Sequence, residues 1–300
     1  MKYGWVILLL AVVLSGCATD KGGTRSTDLL TPESQVPAEQ AVSSDLDSAS
    51  AYVERGLTRV NRGDFDQAIE DYNQAIRLDP NYIDAYFNRG NAYINKGDYN
   101  GAIADYTEAI RLNPNLASAY YNRGLAYHNN NDYDRAIADY TEAIRLNPNH
   151  VRAHNGRGIV YKNKGDYDRA IADYTEAIGL NPNYAIAYYN RGNAYFSKGD
   201  YDQVIADCTE AIRLDPSFAE AYYNRGNVYS NKGDYDRATA DHTEAIRLNP
   251  NYADAYFNRG VAYLEKGDSD KAIADWEAVL RINPDDADAR ESIEKARQGQ

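Results

Sequence analysis

From residue 49 onward, apolar and small residues recur at helical spacing, stop, and recur again, and this figure repeats seven times at a period of 34 residues without insertion or deletion. We count each unit from one at Ala49, Ile83, Ala117, Val151, Ala185, Ala219 and Ala253. At about 100° per residue, positions 4, 7, 8 and 11 then share one face of a first helix, and positions 20, 21, 24, 27, 28 and 30, apolar or small, line a second. Position 8 is glycine in every unit, from Gly56 to Gly260, so the second helix can approach closely. The link between the helices calls for a left-handed residue and carries Gly63, Gly97, Gly165, Gly199, Gly233, Gly267 and, in the third unit, Asn131. The next residue is Asp in all seven units, a helix N-cap, and proline at position 32, Pro80 to Pro284, ends each unit. The pattern predicts an all-α chain of helix-turn-helix units at 49–82, 83–116, 117–150, 151–184, 185–218, 219–252 and 253–286, with 287–300 as a short polar helix capping the last core.

Arg at position 7 and Asp at position 23 recur together in every unit and read as an internal ion pair flanking the core, of open energetic sign. The aromatic position 4 is Tyr52, Tyr86, Tyr120, His154, Tyr188, Tyr222 and Tyr256, and position 11 is Tyr in six units. With alanine at position 20 in six units and the invariant proline, this resembles the tetratricopeptide repeat. The departures are Arg59 at position 11, Val204 at position 20, Cys208, His242 and Trp276 at position 24, and the arginine at position 7, where that family usually has an aliphatic residue. The resemblance covers 49–286 and implies a right-handed α-solenoid (TPR) that binds through a surface and is not an enzyme.

The N-terminus carries a different signal. Lys2 precedes an apolar run from Trp5 to Leu14 that is too short to span a bilayer as a mature helix. It closes with Leu14-Ser15-Gly16-Cys17, which resembles the box of bacterial lipoproteins. That resemblance implies a signal peptide at 1–16, cleavage before Cys17, and lipid on the Cys17 thiol. Ala18 in place of Asp then favours the outer membrane, facing the periplasm, in a Gram-negative cell. Residues 17–47, rich in Ser, Thr, Asp, Pro and Gln, read as a flexible tether, roughly thirty residues with a span on the order of 30 Å.

Charge and chemistry narrow the function further. With 45 acidic against 32 basic residues and a net charge of −13, the chain has no basic stripe for phosphates, which excludes nucleic acid as a partner. Cys208 stands at a core position and reads as a buried, inert thiol. His150 and His154, four apart, lack a third ligand at a recognisable spacing, so no metal is expected. The glycines are spaced for packing rather than for cradling an anion, and no cofactor is expected.

There remains the face of the first helix opposite the core, formed by positions 2, 5, 6, 9, 12 and 13, which varies between units. Position 5 is Phe87, Tyr121, Tyr189, Tyr223 and Phe257, and position 6 is Asn88, Asn122, Asn190, Asn224 and Asn258. Exposed aromatics beside amides predict an interaction surface; the alternative is that the tyrosines pack between neighbouring units. The asparagine row resembles the substrate groove of protein O-GlcNAc transferase, which implies a grip on the backbone of an extended peptide. The carboxylate clamp of chaperone-binding relatives is matched at Asn91, Asn122 and Arg152 but not at Phe87 and Gly156, so a C-terminal carboxylate is not expected. Arg152 and Lys162 make the fourth unit locally basic and predict an acidic or polar group of the partner there. The expectation is a lipid-anchored envelope scaffold for proteins or extended peptides. The alternatives are a regulator of an envelope enzyme such as a cell-wall hydrolase, and a passive spacer.

Overall fold

The computed structural model describes residues 48–299; the signal-peptide and tether readings, Cys17 included, lie outside them. The described residues are all-α, with fifteen helices, fourteen of them in seven helix-turn-helix pairs, and no strand. They fall into two compact units, 48–181 and 182–299.

In 48–181 the pairs are α1 (Ala49–Arg62) with α2 (Phe65–Leu78), α3 (Ile83–Lys96) with α4 (Tyr99–Leu112), α5 (Ala117–Asn129) with α6 (Tyr133–Leu146), and α7 (Val151–Asn163) with α8 (Tyr167–Leu180). In 182–299 they are α9 (Ala185–Lys198) with α10 (Tyr201–Leu214), α11 (Ala219–Asn231) with α12 (Tyr235–Leu248), and α13 (Ala253–Glu265) with α14 (Ser269–Ile282), followed by α15 (Ala287–Gln298). Helix α15 packs on α14 through Ala289, Ile293 and Ala296.

Local chemistry fixes each turn. The seven residues expected to be left-handed all have positive φ, from 59° at Asn131 to 82° at Gly63. In six units the following aspartate caps the second helix, accepting from the backbone N–H three residues on, as Asp98 does from Gly101 at 2.9 Å; Asp64 makes no such bond. At the end of the pair, the Asn or Asp of position 31 accepts from the N–H of position 33, for example Asp79 from Asn81 at 2.9 Å, and so shapes the proline turn.

The core of each pair is alanine on both helices with one ring from position 24 set against the glycine of position 8. Tyr72, Tyr106, Tyr140, Tyr174 and Trp276 are at most 1% exposed. A Cβ on Gly158 would lie 2.7 Å from the Tyr174 ring, and one on Gly260 2.7 Å from Trp276. The fifth unit differs: with Cys208 at position 24, the nearest side-chain atoms to a Cβ on Gly192 are Asp207 Cβ at 3.4 Å and the Cys208 sulfur at 3.7 Å. Val204 and Val228 pack against the buried thiol, each larger than the alanine usual at its position, and take up space left by the missing ring.

The paired charges form as expected. Arginine Nε and Nη2 meet both carboxylate oxygens of the aspartate, at 2.6–2.9 Å from Arg89–Asp105 to Arg259–Asp275, and Arg55 makes the same fork with Asp71. In Arg123, Arg157, Arg225 and Arg259 the remaining Nη1 reaches back one unit to the hydroxyl of position 25, as Arg123 does to Thr107 and Arg259 to Thr243, both at 3.0 Å, and in Arg89 it reaches the Asn73 amide oxygen. The guanidiniums of Arg89, Arg123, Arg157, Arg225 and Arg259 thus each tie three helices together, with all three nitrogens directed at acceptors, which offsets part of the cost of burying the pair.

Candidate functional site

The surface opposite the core is built differently from its sequence expectation. All five position-6 asparagines are buried, at 0–7% exposure. Three donate to the amide oxygen of position 9 in the unit before: Asn122 to Asn91 at 2.9 Å, Asn224 to Asn193 at 2.6 Å, and Asn258 to Asn227 at 2.8 Å. Asn258 also donates to the Tyr223 hydroxyl at 3.1 Å, and Asn88 donates to the backbone of Asp84 at 2.8 Å. The Tyr106 hydroxyl joins the lattice at Asn91, 2.7 Å away. These amides hold successive first helices together.

The position-5 rings are not exposed decoration either. Phe87, Tyr121 and Tyr223 are buried and Tyr189 and Phe257 half-buried. For Tyr121, Tyr189 and Tyr223 the cause is position 34, the residue just before the next first helix, whose ring folds over position 5 of its own unit; in the unit of Phe87 the aliphatic Leu116 takes that place. Tyr121 meets His150 at 4.9 Å between centroids, Tyr189 meets Phe218 at 4.8 Å, and Tyr223 meets Tyr252 at 4.9 Å. The recurrence of Tyr82, His150, Tyr184, Phe218 and Tyr252 at one position was the available sequence signal for this cover.

What stands accessible in 48–181 is Asp84 and Arg152 at position 2, Ile94, His128 and Lys162, half-buried, at position 12, and Asn61, Asn95 and Asn163 at position 13. In 182–299 it is Asp254, Ser197 and Leu264 at 36% exposure, with Ile186, Glu220, Phe196, Asn231 and Glu265 half-buried. Arg152 is exposed and forms no ion pair among the described residues. Desolvation lowers the His128 pKa to about 4, which keeps the ring neutral, with Nε2 3.2 Å from the Asn163 amide. The other two histidines considered for a metal are taken by structure: His150 Nδ1 accepts from the Ala153 N–H at 3.2 Å as a helix cap, while His154 Nε2 lies 3.2 Å from the Pro148 carbonyl. Among the described residues no group of three or more His, Cys, Asp or Glu is placed to hold a metal, and no helix is long and apolar enough to cross a membrane.

Paired helices repeating on a fixed period, with a variable face carried on an invariant frame, define an α-helical repeat protein. Family patterns for "TPR repeat" match residues 56–97, 90–131, 160–199 and 192–233, and "Tetratricopeptide repeat" patterns match 117–150, 139–172 and 223–287; the chain belongs to the tetratricopeptide repeat family. Among solved structures it is similar to a tetratricopeptide repeat protein from Parabacteroides merdae, at 22% identity and a TM-score of 0.62 over 83% of this chain and 98% of that one. It is also similar to YrrB, described as a TPR protein with an unusual peptide-binding site, at 26% identity and a TM-score of 0.54 over 62% and 96%. A third similar structure is MamA, at 30% identity and a TM-score of 0.51 over 54% and 94%. No curated protein matches the chain.

Proposed function

We propose that this protein is a non-enzymatic scaffold of the bacterial cell envelope, held at a membrane by lipid on Cys17, that binds a protein or extended peptide along the inner face of its first helices. The observation that carries the reading is the division of that face into a buried frame and an accessible layer. The Asn88, Asn122, Asn190, Asn224 and Asn258 amides and the Phe87, Tyr121, Tyr189, Tyr223 and Phe257 rings form the frame, at most partly open to solvent. Above it stand side chains that differ from unit to unit, Asp84, Arg152, Phe196 and Leu264 among them. A frame that repeats while its outer layer varies is suited to a partner that is itself irregular in sequence. YrrB, with its peptide-binding site, supports the class of ligand. In this reading Arg152, unpaired at the first turn of α7, receives an acidic or polar side chain.

Photoreactive residues placed in cells at Asn95, Asn163 or Ser197 test the surface, with Glu70 and Asp202 on second helices as controls. Adducts from the first set and not the second are expected; adducts from the controls alone would place the interface elsewhere. Radiolabelled fatty acid tests the anchor and should label the parent but not Cys17→Ala.

A further inference from the structure

The inner face of 182–299 contains carboxylates without counter-charges. Positions 2, 5, 6, 9, 12 and 13 of its three repeat units include no Lys or Arg, yet they carry Glu220 and Asp254 at position 2 and Glu265 at position 13. On the second helices of these units several carboxylates do have partners: Asp207, Asp241 and Asp275 in arginine forks, Glu210 with Arg213, and Asp202 and Asp236 with Lys232 and Lys266. Glu220 and Asp254 take part in no ion pair, and they occupy the first turns of α11 and α13, adjacent first helices.

Between them lies an aromatic surface. Tyr252, the N-cap residue of α13, is half-buried and stacks on Tyr223, with centroids 4.9 Å apart and planes at 36°. Burial raises the Tyr252 phenol pKa, and the neighbouring Tyr189, Tyr223, Glu220 and Asp254 raise it further. Burial likewise raises the Asp254 carboxyl, and the charge of Asp286 adds to this, although Asp254 keeps an open surface. Two acids at one ring, one crowded by a third, form a site that a cation would relieve. A flat ring presents its negative face to a cation, and carboxylates at its edges add direct pairing.

We propose that Tyr252, flanked by Glu220 and Asp254, receives a lysine or arginine side chain from a protein segment lying along this inner face. The inference rests on that face being the binding surface and adds the chemistry of the partner. A bare metal ion is the poorer occupant, since the described residues offer no three-ligand cluster, whereas a long basic side chain can lay its stem on the ring and its head between carboxylates on separate helices.

The test uses the full chain and three fluorescent twelve-residue peptides sharing one Ala/Leu pattern and carrying Arg, Gln or Glu at the remaining positions. By fluorescence anisotropy the Arg peptide should bind most tightly, with affinity falling as salt rises. The double variant Glu220→Gln/Asp254→Asn should weaken it about tenfold or more and flatten the salt dependence. A charge-matched control, Asp202→Asn/Asp236→Asn, removes as much negative charge from second helices and should change affinity less than about twofold. Tyr252→Phe should retain binding and Tyr252→Leu lose it, each with its melting temperature recorded. Equal weakening by the two double variants, or a Gln peptide binding as tightly as the Arg peptide, would overturn the proposal. If the Gln peptide, carrying a photoreactive residue, crosslinks to the inner face as well as the Arg peptide so equipped, the partner chemistry is wrong and the surface right. If neither peptide crosslinks there, both readings fail.

Discussion

Arg123 and Asp139 meet as a planar fork, Nε to Oδ2 at 2.7 Å and Nη2 to Oδ1 at 2.8 Å, between α5 and α6, and the third nitrogen of the same guanidinium holds Thr107 of the preceding unit at 3.0 Å. With side chains 17% and 9% exposed, the pair is mostly out of water. Arg123→Met should therefore strand the carboxylate and cost about 3 kcal/mol, while Arg123→Met/Asp139→Leu should recover most of that loss. Urea unfolding of the parent, both single variants and the double variant checks it; additive losses would mean that the pair does not act as a unit.

The glycines of position 8 should not respond alike. Gly158→Ala drives a methyl to 2.7 Å from the Tyr174 ring and should lose about 1–3 kcal/mol. Gly192→Ala meets only ordinary contacts at 3.4 Å and beyond, so it should be neutral or gain up to about 1 kcal/mol from helix propensity. Thermal melting of the two variants decides this, and equal losses would show that α10 sits closer to α9 than described.

Much of this frame was legible because its causes are local or recur within one unit. A left-handed residue between helices, an aspartate after it, and an arginine sixteen residues before an aspartate each declare themselves in a short stretch. The burial of the face opposite the core was not legible for the opposite reason. Whether Tyr121 is exposed depends on His150, 29 positions later, and whether Asn122 is free depends on Asn91 in another unit. Helical periodicity reports which way a side chain leaves its own helix, not what another segment lays across it.

The buried amides should now behave as structure. The triple variant Asn122→Ala/Asn224→Ala/Asn258→Ala removes the donors to Asn91, Asn193 and Asn227, and at about 1 kcal/mol each should lower stability by roughly 3 kcal/mol. Arg152→Glu, at an exposed side chain, should leave melting unchanged while slowing association with an acidic partner segment, more at low salt than at high. A triple variant that melts like the parent would return these amides to the pool of direct ligand contacts.

His242 makes the sixth unit acid-sensitive. It is fully buried against Gly226, neither ring nitrogen has a hydrogen-bond partner, and desolvation first, then Arg259, lowers its pKa to about 3. In the unfolded chain the ring takes a proton near pH 6.5, whereas the folded ring does not until about pH 3. Its contribution is therefore constant above pH 6.5, and stability falls by up to about 1.4 kcal/mol per pH unit between those values. His242→Tyr restores the residue of the first four units, whose hydroxyl can reach Asn227 as Tyr106 reaches Asn91, and should flatten the profile. Hydrogen exchange in α11 and α12 at pH 7 and pH 4.5 measures the difference; exchange that accelerates equally in the variant would assign the acid response to other groups.

The ring that closes over position 5 also bears on how such a chain can change length over generations. Tyr on Tyr, Tyr on His and Tyr on Phe all stack here within 0.1 Å of the same separation. Among the third, fifth and sixth units, which carry these pairs, a crossover in the second helix that parts a position-5 residue from its original position-34 cover and joins it to another copy's would still yield a stacked pair. Copies can then be lost, gained or shuffled by recombination with the frame intact, leaving Arg152 or Glu220 to drift in step with whatever the array binds.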